Sequence, residues 1–145
     1  MSNKNQKFIL WFNETGIKDV PLVGGKNASL GEMYCHLVKQ GVNIPNGFAV
    51  TAYGYRYFMK KTKTDKEIKK ILKGLDTRKI SDLKKRALAT RQAILNAELP
   101  EELVKEIASA YKELCQFYKT DNVDTAVRSS ATAEDLPSAS FAGQQ

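Results

Sequence analysis

The 145-residue chain is poor in the residues that build most compact sites. It has two cysteines, Cys35 and Cys115, far apart, and a single histidine, His36. That excludes a disulfide scaffold, a zinc finger and a Cys-x-x-Cys redox pair, and it fits a reducing cytoplasm. No stretch approaches the roughly 20 consecutive apolar residues that cross a bilayer, so no membrane partner is expected. The apolar run at residues 8–12 is too short for the core of a secretory signal. With 42% hydrophobic and 27% charged residues, the composition is that of a folded domain rather than a disordered tail. The length suits one domain or part of one.

What is present in excess is positive charge, in one place. The chain carries +7 overall, yet residues 60–91 hold thirteen basic residues against four acidic ones, a local excess of nine. The remainder is slightly acidic. A lysine-rich helical segment over residues 60–96, solvated on its charged face, accounts for this. A basic patch also attracts polyanions by counterion release. However, no aromatic residue lies between Phe58 and Tyr111, so no base-stacking platform accompanies the charge. Nucleic acid is therefore not expected as a partner.

The pattern along the chain predicts an α+β fold of short strands and several helices. Residues 8–12 read as a buried strand, followed by a loop through Gly16, Pro21, Gly24 and Gly25. Leu30, Met33, Tyr34, Leu37 and Val38 mark one face of a helix that Gly41 stops. A Pro45-Asn46-Gly47 turn leads to a strand at 48–50, and Thr51 can cap a helix over 52–60. Helices are expected at 65–75 and 82–96, with Thr64 and Ser81 as caps. Another begins at Pro100, with Glu101 and Glu102 at the positive end of its dipole. Its buried face is expected to carry Leu103, Ile107, Tyr111, Leu114, Cys115 and Tyr118. Residues 125–130 read as a strand entering a site loop. The final residues, 138–145, contain no stop signal or polar tail, so the chain is expected to be an N-terminal piece of a longer polypeptide.

Two small-residue segments carry chemistry. In Val23-Gly24-Gly25-Lys26-Asn27-Ala28, paired glycines let backbone amides approach an anion at a helix start, and Lys26 can meet a phosphate as a point charge. It is not a Walker A loop, because Val20 and Asn27 stand where that pattern wants glycine and Ser or Thr. Such a segment also serves as an ordinary turn before a helix. In the second, residues 127–135, Arg128 offers a planar cationic fork suited to phosphate oxygens. Equally, Arg128 could pair with Glu134 or Asp135 on a surface loop.

Taken together, residues 23–32, Ile44-Pro45-Asn46-Gly47-Phe48-Ala49-Val50-Thr51 and residues 126–145 resemble the N-terminal nucleotide-binding region of the phosphoenolpyruvate synthase family. The resemblance spans nearly the whole chain, in the same order. Pyruvate phosphate dikinases and rifampin phosphotransferases are relatives, and the Ala133-Glu134-Asp135-Leu136-Pro137 run looks closer to the synthases and rifampin enzymes than to the dikinases.

The resemblance implies the first lobe of an ATP-grasp-like domain, occupying residues 1–145. It implies ATP as substrate, with Lys26 and Arg128 as catalytic cations and Lys26, Arg128 and Gly143 as ATP contacts. Ser140 and Thr132 are further hydroxyl candidates. The family's reaction converts ATP, pyruvate and water to AMP, phosphoenolpyruvate and phosphate through a phosphohistidine on a central domain. That domain, the pyruvate-binding domain and the Mg2+ ligands are expected outside this sequence, so no metal ligand is assigned here. His36 matches no phosphohistidine motif and is expected to have a structural or surface role. The alternatives are a rifampin-type antibiotic phosphotransferase, whose acceptor binds elsewhere, a non-catalytic polyanion-binding module, and a non-functional fragment.

Overall fold

The computed structural model describes residues 3–132. It is a mixed α+β structure with a two-stranded sheet and five α-helices among the described residues. The chain divides into two compact units, one formed by residues up to Tyr55 together with those from Lys105 onward, the other by Arg56–Val104.

The first unit is built on an antiparallel pair, β1 (Ile9–Trp11) and β2 (Phe48–Val50), in the register Ile9 to Val50, Leu10 to Ala49 and Trp11 to Phe48. The aromatic residues expected to favour a strand pack across it. Trp11 meets Phe48 edge to face at 5.4 Å, and Phe8 stacks on Tyr53 at 5.5 Å. One side of the sheet is closed by α1 (Val20–Leu37), so that Leu10, Ala49, Val23 and Ala28 form a dry cluster.

Helix α1 departs from expectation in two ways. It begins at Val20, before the glycines, because Pro21 is compatible with a first turn whose N–H groups have no intrahelical acceptor. The expected loop is reduced to a single break at Gly24, whose φ of 79° and ψ of 163° belong to a region that essentially only glycine occupies. Nor is the deepest stripe the large residues: Val23, Gly24, Ala28 and Gly31 are buried, whereas Met33 and Val38 are exposed. Small side chains let the helix backbone approach the 3-10 turns at Phe12–Glu14 and Ile17–Asp19, and the Cys35 thiol lies 3.7 Å from the Phe12 carbonyl. The helix closes as expected at Gly41, with φ 86°, where Val42 N–H bonds to Leu37 and Gly41 N–H to Val38.

Helix α2 (Ala52–Lys61) starts at Thr51, which is buried and accepts from the Gly54 N–H at 3.1 Å as a cap should. Helices α3 (Thr64–Leu72) and α4 (Ile80–Leu95) lie in the second unit, and neither uses its expected cap. Lys63 takes the boundary of α3 in a left-handed conformation, and Thr64 turns its hydroxyl to that of Thr62, at 2.7 Å. Lys79 precedes α4 in an extended conformation, which places Ser81 inside the helix. Arg86 of α4 binds α3 directly, donating to the Ile71 and Lys73 carbonyls at 2.5 and 2.8 Å while its Nε meets Asp82 at 2.9 Å.

Helix α5 (Glu101–Tyr118) follows Pro100 and buries Leu103, Leu114 and Cys115, together with Ala110. Tyr118 is exposed rather than buried, and its hydroxyl accepts the Asn46 N–H at 2.7 Å, tying down the Pro45-Asn46-Gly47 turn. The strand expected at 125–130 is not formed. That segment joins no ladder with β1 or β2 among the described residues, and a strand is defined by pairing with a neighbour.

Candidate functional site

The break at Gly24 divides α1 into a short stub and a long run that restarts with Gly25, Lys26 and Asn27. Their N–H groups form a first helical turn, where intrahelical acceptors are lacking and the helix dipole is positive. Lys26 stands exposed on that turn. The Val23 carbonyl just before the break accepts two side-chain bonds, from Asn27 Nδ2 at 2.9 Å and from the Ser130 hydroxyl at 2.8 Å.

The second bond joins the two segments singled out in the sequence. Ser130 lies against Gly24 so closely that a Cβ there would strike the Ser130 hydroxyl and come within 2.9 Å of the Ala131 carbonyl oxygen. Lys26 is two residues beyond Gly24, and Arg128 is two residues before Ser130. Arg128 is exposed. Thr132 follows at an exposed turn. Gly143, Ser140, Glu134 and Asp135 lie outside the described residues.

The segment leading to Ser130 also makes bonds at its start. Tyr111 of α5 donates to Asn122 Oδ1 at 2.5 Å and stands 3.1 Å from the Val123 carbonyl. Desolvation, with the Cys115 thiol alongside, pushes its phenol up from the usual tyrosine value. Neither tether was apparent from spacing. Ser130 is indistinguishable from Ser129 in the sequence, and Tyr111 reads only as part of an apolar face.

Other polar groups have local roles. His36 is an exposed partner of Glu32, with Nε2 3.2 Å from the carboxylate, whose other oxygen accepts the Ile17 N–H at 3.0 Å. Among the described residues no group of three or more His, Cys, Asp or Glu side chains is placed to hold a metal. No helix among them is long and apolar enough to cross a membrane. The concavity between α3 and α4 is lined by Leu72, Leu75, Leu83, Ala87 and Ile94 with Thr90 and Arg91, and contains neither motif.

Comparison with known proteins places this geometry in context. Residues 20–145 match the family described as pyruvate phosphate dikinase, AMP/ATP-binding domain. The chain is 48% identical to a phosphoenolpyruvate synthase of Synechocystis sp. over 100% of its own length, and 49% identical to that of Aquifex aeolicus over 99%. It is 43% identical to the synthase of Escherichia coli over 99% of its length. It spans only 17 to 18% of the length of these relatives. A match that takes in both the Gly24–Lys26 turn and the Arg128–Ser130 segment shows that the chain belongs to the pyruvate phosphate dikinase AMP/ATP-binding domain family.

Proposed function

We propose that this chain is the N-terminal part of the ATP-binding domain of a phosphoenolpyruvate synthase, and that it supplies the cationic half of the nucleotide site. On this reading it forms the first lobe of an ATP-grasp-like domain in a cytoplasmic enzyme, with residues 60–96 as a lysine-rich helical segment within it. Lys26, on a helix start, and Arg128, on the segment that Ser130 ties to Val23, neutralise phosphate charge as it develops. Gly143 lies against the phosphates, with Thr132 and Ser140 as hydroxyl contacts. The complete enzyme converts ATP, pyruvate and water to AMP, phosphoenolpyruvate and phosphate through a phosphohistidine. Its pyruvate site, phosphohistidine and Mg2+ ligands belong to other parts of the polypeptide.

The observation that carries this reading is the contact of Ser130 with Val23 and Gly24, which brings the two motif segments together. The names of the relatives favour pyruvate over an antibiotic as the eventual acceptor. The test is ATP-dependent phosphorylation in the full-length polypeptide. Lys26→Ala and Arg128→Ala should each reduce it by about a hundredfold or more, the order seen when a charge-stabilising donor is removed. Full activity in either variant refutes the role of that residue. The isolated 145-residue chain should bind nucleotide weakly, and AMP formation from ATP and pyruvate by that chain alone would refute the division of the site.

A further inference from the structure

We propose that the groove between α3 and α4 is a docking surface for an acidic amphipathic helix carried elsewhere on the same polypeptide. The inference rests on the proposed place of this chain within a longer polypeptide, and not on its nucleotide site. The groove belongs to the second unit, whereas Lys26 and Arg128 belong to the first.

Helix α4 has 16 residues, and none of them is buried among the described residues. Arg86 joins it to α3 by polar bonds to two carbonyls, and the apolar side chains beside that joint stay open. Leu83, Ala87, Arg91 and Ile94 recur at i, i+4, i+8 and i+11, on one face of the helix. With Leu72 and Leu75 of the other wall they line a concavity of about 430 Å³. A water molecule occupies only about 30 Å³, so this space suits side chains rather than a single water or ion. Ile80, Leu88 and Leu95 extend the apolar surface along α4, at 66%, 53% and 74% exposed. A contiguous apolar surface of this kind with a polar rim marks an interaction site. The stretch from Leu83 to Ile94 rises about 16 Å, the length of three turns of a partner helix. Amphipathic helices enter such grooves through apolar anchors one turn apart.

The charge around the groove sets the chemistry of its occupant. Residues 71–97 hold seven basic side chains and two acidic ones. The two acids, Asp76 and Asp82, pair with Arg78 and Arg86. That leaves an excess of five cations, Lys73, Lys79, Lys84, Lys85 and Arg91, all of them exposed. An occupant with carboxylates beside its apolar stripe complements this rim. A second copy of the groove would instead set like charges together. A lipid surface fits less well, because neither α3 nor α4 carries an aromatic anchor. The same polypeptide is the source that the comparisons favour. This chain covers only 17 to 18% of the length of its relatives, so most of such a polypeptide lies elsewhere. A helix on the same polypeptide meets the groove at an effective concentration on the order of millimolar, which favours it over a separate protein.

The experiment treats the full-length polypeptide with a carbodiimide, which joins lysine amines to carboxylates they touch, and maps the products by mass spectrometry. Mixing ordinary with isotope-labelled protein separates bonds within one polypeptide from bonds between two. Lys79 and Lys84 should join carboxylates of an amphipathic helical segment outside these 145 residues, within one polypeptide. Ala87→Glu adds bulk and a negative charge to the groove at an exposed helical position, where the fold tolerates it. It should lower the yield of these products by about tenfold or more, and so should Arg91→Glu. Lys66→Glu, at an exposed position of α3 outside the groove lining, should leave the yield unchanged and serves as the control for charge alone. Circular dichroism should show the parent helix content in all three variants. Products only between polypeptides, partners only within the 145 residues, no product at Lys79 or Lys84, or a yield unchanged in either groove variant would each overturn the proposal. None of those results touches the nucleotide reading, which Lys26→Ala and Arg128→Ala test separately.

Discussion

Thr51 donates its hydroxyl proton to the Lys7 carbonyl at 2.6 Å while accepting the Gly54 N–H at 3.1 Å. One buried oxygen thereby caps α2 and secures the chain entering β1. Thr51→Ala removes both bonds and leaves the Lys7 carbonyl without this donor. The expected loss is about 2 kcal/mol in urea denaturation, the sum of a lost cap and a lost buried hydrogen bond. Thr51→Ser should recover most of it. A Thr51→Ala protein as stable as the parent would show that the cap is dispensable.

Gly31 sets two effects against each other. Alanine is the better helix former by about 1 kcal/mol. At this position, however, a Cβ would strike the Thr15 side chain and lie 2.6 Å from the Thr15 carbonyl oxygen, in a close contact between α1 and the turn before it. Overpacking of this kind costs about 1–3 kcal/mol, so Gly31→Ala should be destabilising on balance. Thermal melting decides the sign. A raised midpoint would mean that the turn can move away from the helix at little cost.

Glu14 makes the first unit sensitive to acid. Burial pushes its carboxyl up, but hydrogen bonds from Lys7 at 2.6 Å and the Trp11 N–H at 3.1 Å, with the lysine charge, outweigh it and hold the group below the ordinary 4.5. A carboxyl held down by folding stabilises the protein above its ordinary range, and that contribution is lost as pH falls through the lowered value. Glu14→Gln should therefore be less stable than the parent at neutral pH, with the gap closing as pH drops below 4.5. A gap that stays constant across this range would remove Glu14 from the acid response.

Arg86 offers a test within the second unit. Its planar group meets two carbonyls at the end of α3 and the Asp82 carboxylate together, a pattern an ammonium cannot reproduce. Arg86→Lys should fail to rescue the loss caused by Arg86→Ala, about 1–3 kcal/mol for hydrogen bonds to a charged group. Hydrogen exchange of the α3 amides is the readout, and protection retained in Arg86→Lys would contradict the geometric argument.

The sequence makes short-range features visible. The two strands, the Thr51 cap and the Gly41 stop all depend on a few adjacent residues, and all appear where periodicity and turn chemistry put them. Features that depend on distant parts of the chain were hidden. Thr64 and Ser81 have cap chemistry, but the left-handed Lys63 and extended Lys79 set the boundaries. The residues at 125–130 have strand propensity, which cannot form a ladder by itself. Leu30 and its neighbours mark an amphipathic face, yet the closest packing falls to Ala28 and Gly31, whose value lies in what they lack. For the site, Lys26 and Arg128 could be singled out by charge and motif, whereas the hydroxyl joining their segments has no signature in spacing.

The Val23–Ser130 bond spans 107 residues, and that distance imposes an order on biosynthesis. Leu10, Val23, Ala28 and Ala49, which form the dry cluster, have all been made before residue 50. The serine that binds Val23 follows it from the ribosome by roughly 5 to 20 s at ordinary elongation rates. The scaffold can thus condense on the nascent chain well before the arginine arrives, and any nucleotide pocket the two segments form is among the last parts of this region to be completed.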